Sequence, residues 1–240
     1  MMKKATIILT VFIIGIIFLL SLPYAWEILT TIFNPKRVTL LGQLEIYKWV
    51  SIGAVIYMVL RRLMKNNMSF IEVFSHEFTH TVVALLFNRK IHSFQVGEQT
   101  GVICTSGKRQ CALIPISLAP YCFPIFTYLL LSIRWMLDFH GVWIYDILIG
   151  ITICFHIYCF KTQMSCRQPD INQYPLLFSY FYIVTMWIIN LCLILPAFFP
   201  NMNGHGTTQY HYGIWSCIYR LLENWWVTIE SVVHSIHFCI

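Results

Sequence analysis

Charged side chains are scarce in this sequence: Asp, Glu, Lys and Arg make up 11% of 240 residues, against about 25% in a soluble domain. With 58% hydrophobic residues and a positive mean hydropathy, that scarcity excludes an ordinary soluble fold and implies a polytopic membrane protein. No dense basic run is present. The net charge of +6 is spread over short loops, which fits orientation in a bilayer and excludes nucleic acid as a partner. No C-x-x-C occurs, and the nine cysteines are odd in number and lie mostly in apolar stretches. A disulfide framework and a cysteine zinc site are thereby excluded. Internal repeats and low-complexity segments are also lacking, and the bundle leaves no room for a separate soluble domain.

What is present is a series of apolar runs. Residues 5–26, 46–64, 68–87, 111–133, 141–160 and 174–199 predict an α-helical polytopic membrane protein with about six transmembrane helices. The first run is too long for a signal-peptide core and ends at Pro23-Tyr24-Ala25-Trp26 without a small-x-small site, so it reads as a retained span. The second is short of uncharged residues, and Lys48, Arg61 and Arg62 would snorkel from its ends. The third opens on a capping-box-like pair, Ser69 and Glu72, and closes at Asn88-Arg89-Lys90. The fourth contains Pro115, Pro120 and Pro124 and must be kinked or broken. Between the third and fourth, short β-type runs at 93–96 and 102–105 flank the glycine-bounded segment 97–101, predicting a small β-hairpin or an extended loop. That segment is either a plain connection or an edge strand for an extended peptide. Basic groups fall on both sides of six crossings, so loop charge sets no orientation. The chain divides into N-terminal spans at 1–67, a core at 68–200, and a C-terminal loop with an amphipathic interfacial or short transmembrane helix at 201–240. Trp215, Trp225, Trp226, Glu223 and Glu230 mark that last helix.

The chemistry concentrates at His76-Glu77-Phe78-Thr79-His80, an H-E-x-x-H inside the third apolar run. Histidines four apart lie one turn above each other on the same helix face, so both imidazoles can reach one metal ion. The carboxylate between them can reach a water on that ion. Ionisable groups in a membrane helix are expensive and mark function. A zinc hydrolase keeps three protein ligands and an open fourth position. His76 and His80 would be two ligands, with Glu77 as the base that takes the water proton. The pattern is not extended to H-E-x-x-H-x-x-G-x-x-H, so the third ligand comes from elsewhere. Asp170, in a polar break beside Pro169, ranks first. His156, in an otherwise apolar helix, ranks second, and Asp146, near a span end, third. His92 and His205 read as loop residues.

Residues 71–90, I-E-V-F-S-H-E-F-T-H-T-V-V-A-L-L-F-N-R-K, resemble the active-site helix of the site-2-protease family of intramembrane zinc metalloproteases. Gln168-Pro169-Asp170-Ile171 is similar to that family's second motif, N-P-D-G, whose Asp is the third zinc ligand. The resemblance covers roughly residues 68–200. It implies His76, His80 and Asp170 as zinc ligands and Glu77 as the catalytic glutamate. It also implies a membrane-protein substrate with a transmembrane segment, a multi-pass location such as a bacterial cytoplasmic membrane, and strands where residues 91–110 stand. Thr79 replaces the family's usual Gly, Gln168 its Asn and Ile171 its second Gly, and no PDZ-like domain is present. The rival expectation is a non-catalytic membrane protein: an inactive relative that binds membrane partners, or a transporter-like bundle using His and Glu in an ion path.

Overall fold

The computed structural model describes residues 4–32, 40–97, 101–107, 112–137, 142–165, 168–198 and 214–238. The described chain is mostly helical. It runs α1 (Lys4–Ile32), α2 (Leu40–Leu63), α3 (Lys65–Leu86), β1 (Lys90–Val96), β2 (Gly101–Ser106), α4 (Leu113–Cys122), α5 (Ile125–Leu137), α6 (Val142–Gln163), α7 (Pro169–Asn172), α8 (Leu176–Phe198) and α9 (Ile214–Phe238).

Among the described residues, three helices are long and apolar enough to cross a membrane: α1, α6 and α8. A fourth span arises if α4 and α5, bent by 79° at Phe123-Pro124, are counted as one. The six predicted spans are thus reduced to three or four on length and composition. Polar residues account for the difference. Lys48, Arg61 and Arg62 dilute α2, while Glu72, His76, Glu77 and His80 dilute α3. α9 also falls outside the candidate spans, in keeping with an amphipathic helix. Exposed Ile8, Leu9 and Phe12 on α1, and Val55, Met58 and Val59 on α2, form apolar surface that suits lipid and not water.

Two pairings organise the bundle. α1 lies along α8, and α2 lies along α6. The second pairing is close because Gly53 faces the Ile147 carbonyl and Gly150 faces the Val50 carbonyl, each glycine leaving the space its side chain would fill. α1 and α2 are therefore packed against the core helices. α4 is apolar on all sides and sits in the middle, with Ile114, Leu118, Tyr121 and Cys122 buried against Ile171, Phe178 and Ile183.

The break after α4 follows from proline chemistry. Pro124 cannot donate to the carbonyl four residues earlier, and the turn strands further carbonyls in apolar surroundings. α8 supplies the donors: Trp187 Nε1–H bonds the Tyr121 carbonyl at 3.0 Å, and the Asn190 amide bonds the Cys122 carbonyl. The orphaned groups are thereby paired inside the protein, as a membrane interior demands.

α3 begins earlier than its sequence signal. Ser69 and Glu72 lie inside the helix, Met64 is the N-cap, and there is no side-chain cap. Glu72 is instead drawn to Arg61 of α2, 2.6 Å away, so a tertiary ion pair overrides the local capping pattern. The other end is a Schellman motif. Asn88 adopts φ 55°, with Asn88 N–H on the Leu85 carbonyl and Arg89 N–H on the Ala84 carbonyl. That turn sends the chain directly into β1. β1 and β2 pair antiparallel, so the predicted hairpin is present. Residues 98–100 between the strands, residues 138–141, and His205, expected in a loop, lie outside the described residues.

Candidate metal centre

α3 presents His76, Glu77 and His80 to a cavity of about 670 Å³ bounded by β2, α4 and the Gln168–Gln173 segment. The four-residue spacing brings the two imidazoles together edge to face, with ring centroids 4.8 Å apart. Thr79, on a neighbouring face, is buried and bonds the Ser75 carbonyl at 2.7 Å. Its hydroxyl is satisfied within the helix, so the replacement of a small residue here costs no unpaired group.

Asp170 reaches the same point from the far end of the chain. Gln168 is extended and Pro169 occupies the first turn of α7, a position where its missing N–H is not needed. Ile171 is fully buried in the α4–α8 cluster and pins the short helix. Asp170 Oδ2 then lies 3.5 Å from His76 Nε2 and 3.4 Å from His80 Nε2. One ligand atom from each of these three residues lies within 4.8 Å of the others.

The donor chemistry fits a divalent cation. His80 Nδ1–H donates to the Ile116 carbonyl at 2.6 Å, and His76 Nδ1–H donates to Gln163 Oε1 at 2.9 Å. Both Nε2 lone pairs therefore face one carboxylate oxygen. Their separations exceed the usual 2.7–3.2 Å range for a good hydrogen bond. They match the roughly 3.3 Å expected between ligands held about 2.0–2.1 Å from one tetrahedral zinc.

The Ile116 carbonyl is available for a local reason. In an α-helix it would accept the N–H of residue 120, and residue 120 is Pro, which has none. Glu77 is covered by the hairpin: Gly101 lies on its side chain, and a Cβ there would collide with it.

The alternative ligands are elsewhere. Asp146 is 17 positions before Gln163 on α6, about 25 Å along a helix axis. His156 is buried against Trp187, with ring centroids 5.2 Å apart, and is not in the cluster. His92, expected in a loop, stands on β1 and bonds Ser106 on β2 at 2.6 Å. Sequence reasoning missed Gln163, Ile116 and Gly101. Gln163 carried only a weak signal, a polar residue ending an apolar helix.

The bundle thus combines candidate membrane-spanning helices with an H-E-x-x-H helix facing a cavity, the arrangement of a membrane protein with a candidate metal centre. Residues 49–167 match the family model described as Peptidase M50B-like. That match supports a member of the site-2-protease-like family, which implies a peptidase and is typically zinc-dependent. The match takes in His76, Glu77, His80 and both strands, and ends three positions before Asp170. No curated protein and no solved structure matches the chain.

Proposed function

We propose that this protein is an intramembrane zinc metalloendopeptidase that hydrolyses peptide bonds in or near transmembrane segments of other membrane proteins. The observation that carries the reading is the convergence of His76 Nε2, His80 Nε2 and an Asp170 oxygen beside Glu77. In this reading His76, His80 and Asp170 hold the ion. A bound zinc would acidify a water and polarise the substrate carbonyl. Glu77 takes the proton of the attacking water and returns it to the leaving amine nitrogen. The proton is conserved, the C–N bond breaks and a C–O bond forms.

The substrate chain enters extended. β2 has no second strand partner among the described residues, and Gly101, Val102, Ile103 and Thr105 line the cavity. A peptide added to that edge would gain backbone hydrogen bonds and run past Glu77. α2 and α3 also cross the bilayer in this reading. At 24 and 22 residues they are long enough, and α2 follows the candidate span α6.

The test is cleavage of a reconstituted membrane-protein substrate by wild type and Glu77→Gln, with zinc content measured on both. The expected result is zinc in both proteins and cleavage by wild type alone. Equal cleavage by both removes the role assigned to Glu77. A protein that retains no zinc and tolerates His80→Ala would favour the non-catalytic reading.

A further inference from the structure

The outer shell of the cluster contains a residue with no role so far. Gln163 ends α6, and its side-chain amide touches α3 twice. Its Oε1 accepts from His76 Nδ1 at 2.9 Å, and its Nε2 donates to the Glu72 carbonyl at 3.3 Å. Glu72 and His76 are one turn apart on α3, so a single planar amide bridges both.

The two contacts fix each other. A backbone carbonyl can only accept, so the nitrogen of the amide must face Glu72. The amide oxygen then faces His76, and an oxygen there can only accept. His76 Nδ1 must therefore carry a proton. A neutral imidazole has one N–H, so its lone pair is left on Nε2, which points at Asp170 Oδ2. We propose that Gln163 is a positioning residue that sets the tautomer and ring angle of His76 so that Nε2 is presented to the metal. His80 obtains the same result from the Ile116 carbonyl. The two ligands are thus oriented by different means, one by a main-chain carbonyl and one by a replaceable side chain.

This inference rests on the metal reading above and deepens it. The test measures zinc affinity by chelator competition on the full chain in detergent, together with the absorption spectrum of the cobalt form. It compares wild type, Gln163→Leu, Gln163→Glu and His80→Ala. Gln163→Leu removes the acceptor, and the expected loss of zinc affinity is about 10–100-fold, the range for outer-shell partners of metal-bound histidine. Gln163→Glu keeps an acceptor beside Nδ1 and is expected to hold zinc close to wild type, with the wild-type cobalt spectrum. A role in helix packing alone would not be rescued by the carboxylate. If Gln163→Leu fails to fold, Gln163→Glu decides: near wild-type affinity supports the inference, and a loss overturns it. Equal affinity of Gln163→Leu and wild type also overturns it, while the metal centre stands. Wild type that binds zinc no better than His80→Ala removes the metal centre itself, and this inference with it.

Discussion

Pro120 acts on His80 through a hydrogen it does not have. Because residue 120 carries no N–H, the Ile116 carbonyl has no helical partner and takes the His80 Nδ1–H at 2.6 Å. Replacing Pro120 with Ala introduces an N–H one turn below that carbonyl and makes it compete with the imidazole. Zinc affinity should fall about tenfold or more in Pro120→Ala, within the range for such outer-shell changes. Chelator competition against wild type measures it, and unchanged affinity would separate the proline from the site.

Gly101 makes a second prediction. Any side chain there meets the Glu77 carboxylate, 2.7 Å from its Oε1. Gly101→Ala should displace Glu77 without touching a metal ligand. Misplacing a reacting group by about 1 Å costs on the order of 100-fold in rate. The expected result is a cleavage rate reduced by that order, with zinc content unchanged. Loss of zinc along with activity would mean that the hairpin supports the whole centre.

The α2–α6 crossing is tested by its two glycines. Gly53 and Gly150 each abut a main-chain carbonyl of the opposing helix, which cannot swing away as a side chain can. Gly150→Ala and Gly53→Ala should each destabilise the protein by about 1–3 kcal/mol, the usual cost of overpacking. The double variant should cost less than the two together, because the first already parts the helices. Unfolding in detergent with added denaturant reads all three.

Arg61 and Glu72 form a largely buried pair, with side-chain exposures of 16% and 9%. Removing one partner leaves a charge in apolar surroundings, at a cost of about 3–5 kcal/mol. Glu72→Leu should therefore be strongly destabilised. Arg61→Leu combined with Glu72→Leu should recover much of the loss, and equal stability of the single and double variants would contradict the account.

Metal removal should read out in stability as well as activity. A ligand present at 100 times its Kd stabilises by about 2.7 kcal/mol. For a chain of this size that is roughly 5–10 °C in Tm. Chelation should lower the Tm of wild type by that order, zinc should restore it, and His80→Ala should respond to neither.

Parts of this arrangement were legible from the residues alone. The helical period puts His76 and His80 on one face whatever surrounds them, so half of the centre follows from spacing. The three prolines of 111–133 predicted a break, and the β-type runs predicted the hairpin. Asp170 was legible as a carboxylate held by a proline in a polar gap. Its distance to the histidines was not, because that depends on how α7 docks through Ile171. Gly101 was not legible and Gln163 barely so, since their roles depend on helix rotation and hairpin placement. Ser69 and Glu72 matched a local cap, but Arg61, from another helix, took the carboxylate. Length was the weakest guide: polar residues in α2 and α3 serve the ion pair and the centre, and lower hydropathy as they do so.

His76 and Asp170 are 94 residues apart in the chain. At a synthesis rate of about 5–20 residues per second, α3 leaves the ribosome roughly 5–20 s before the carboxylate does. Through that interval the two histidines and Glu77 stand without the third member of the cluster. A nascent chain therefore cannot bring the three side chains together until the segment before α8 is made.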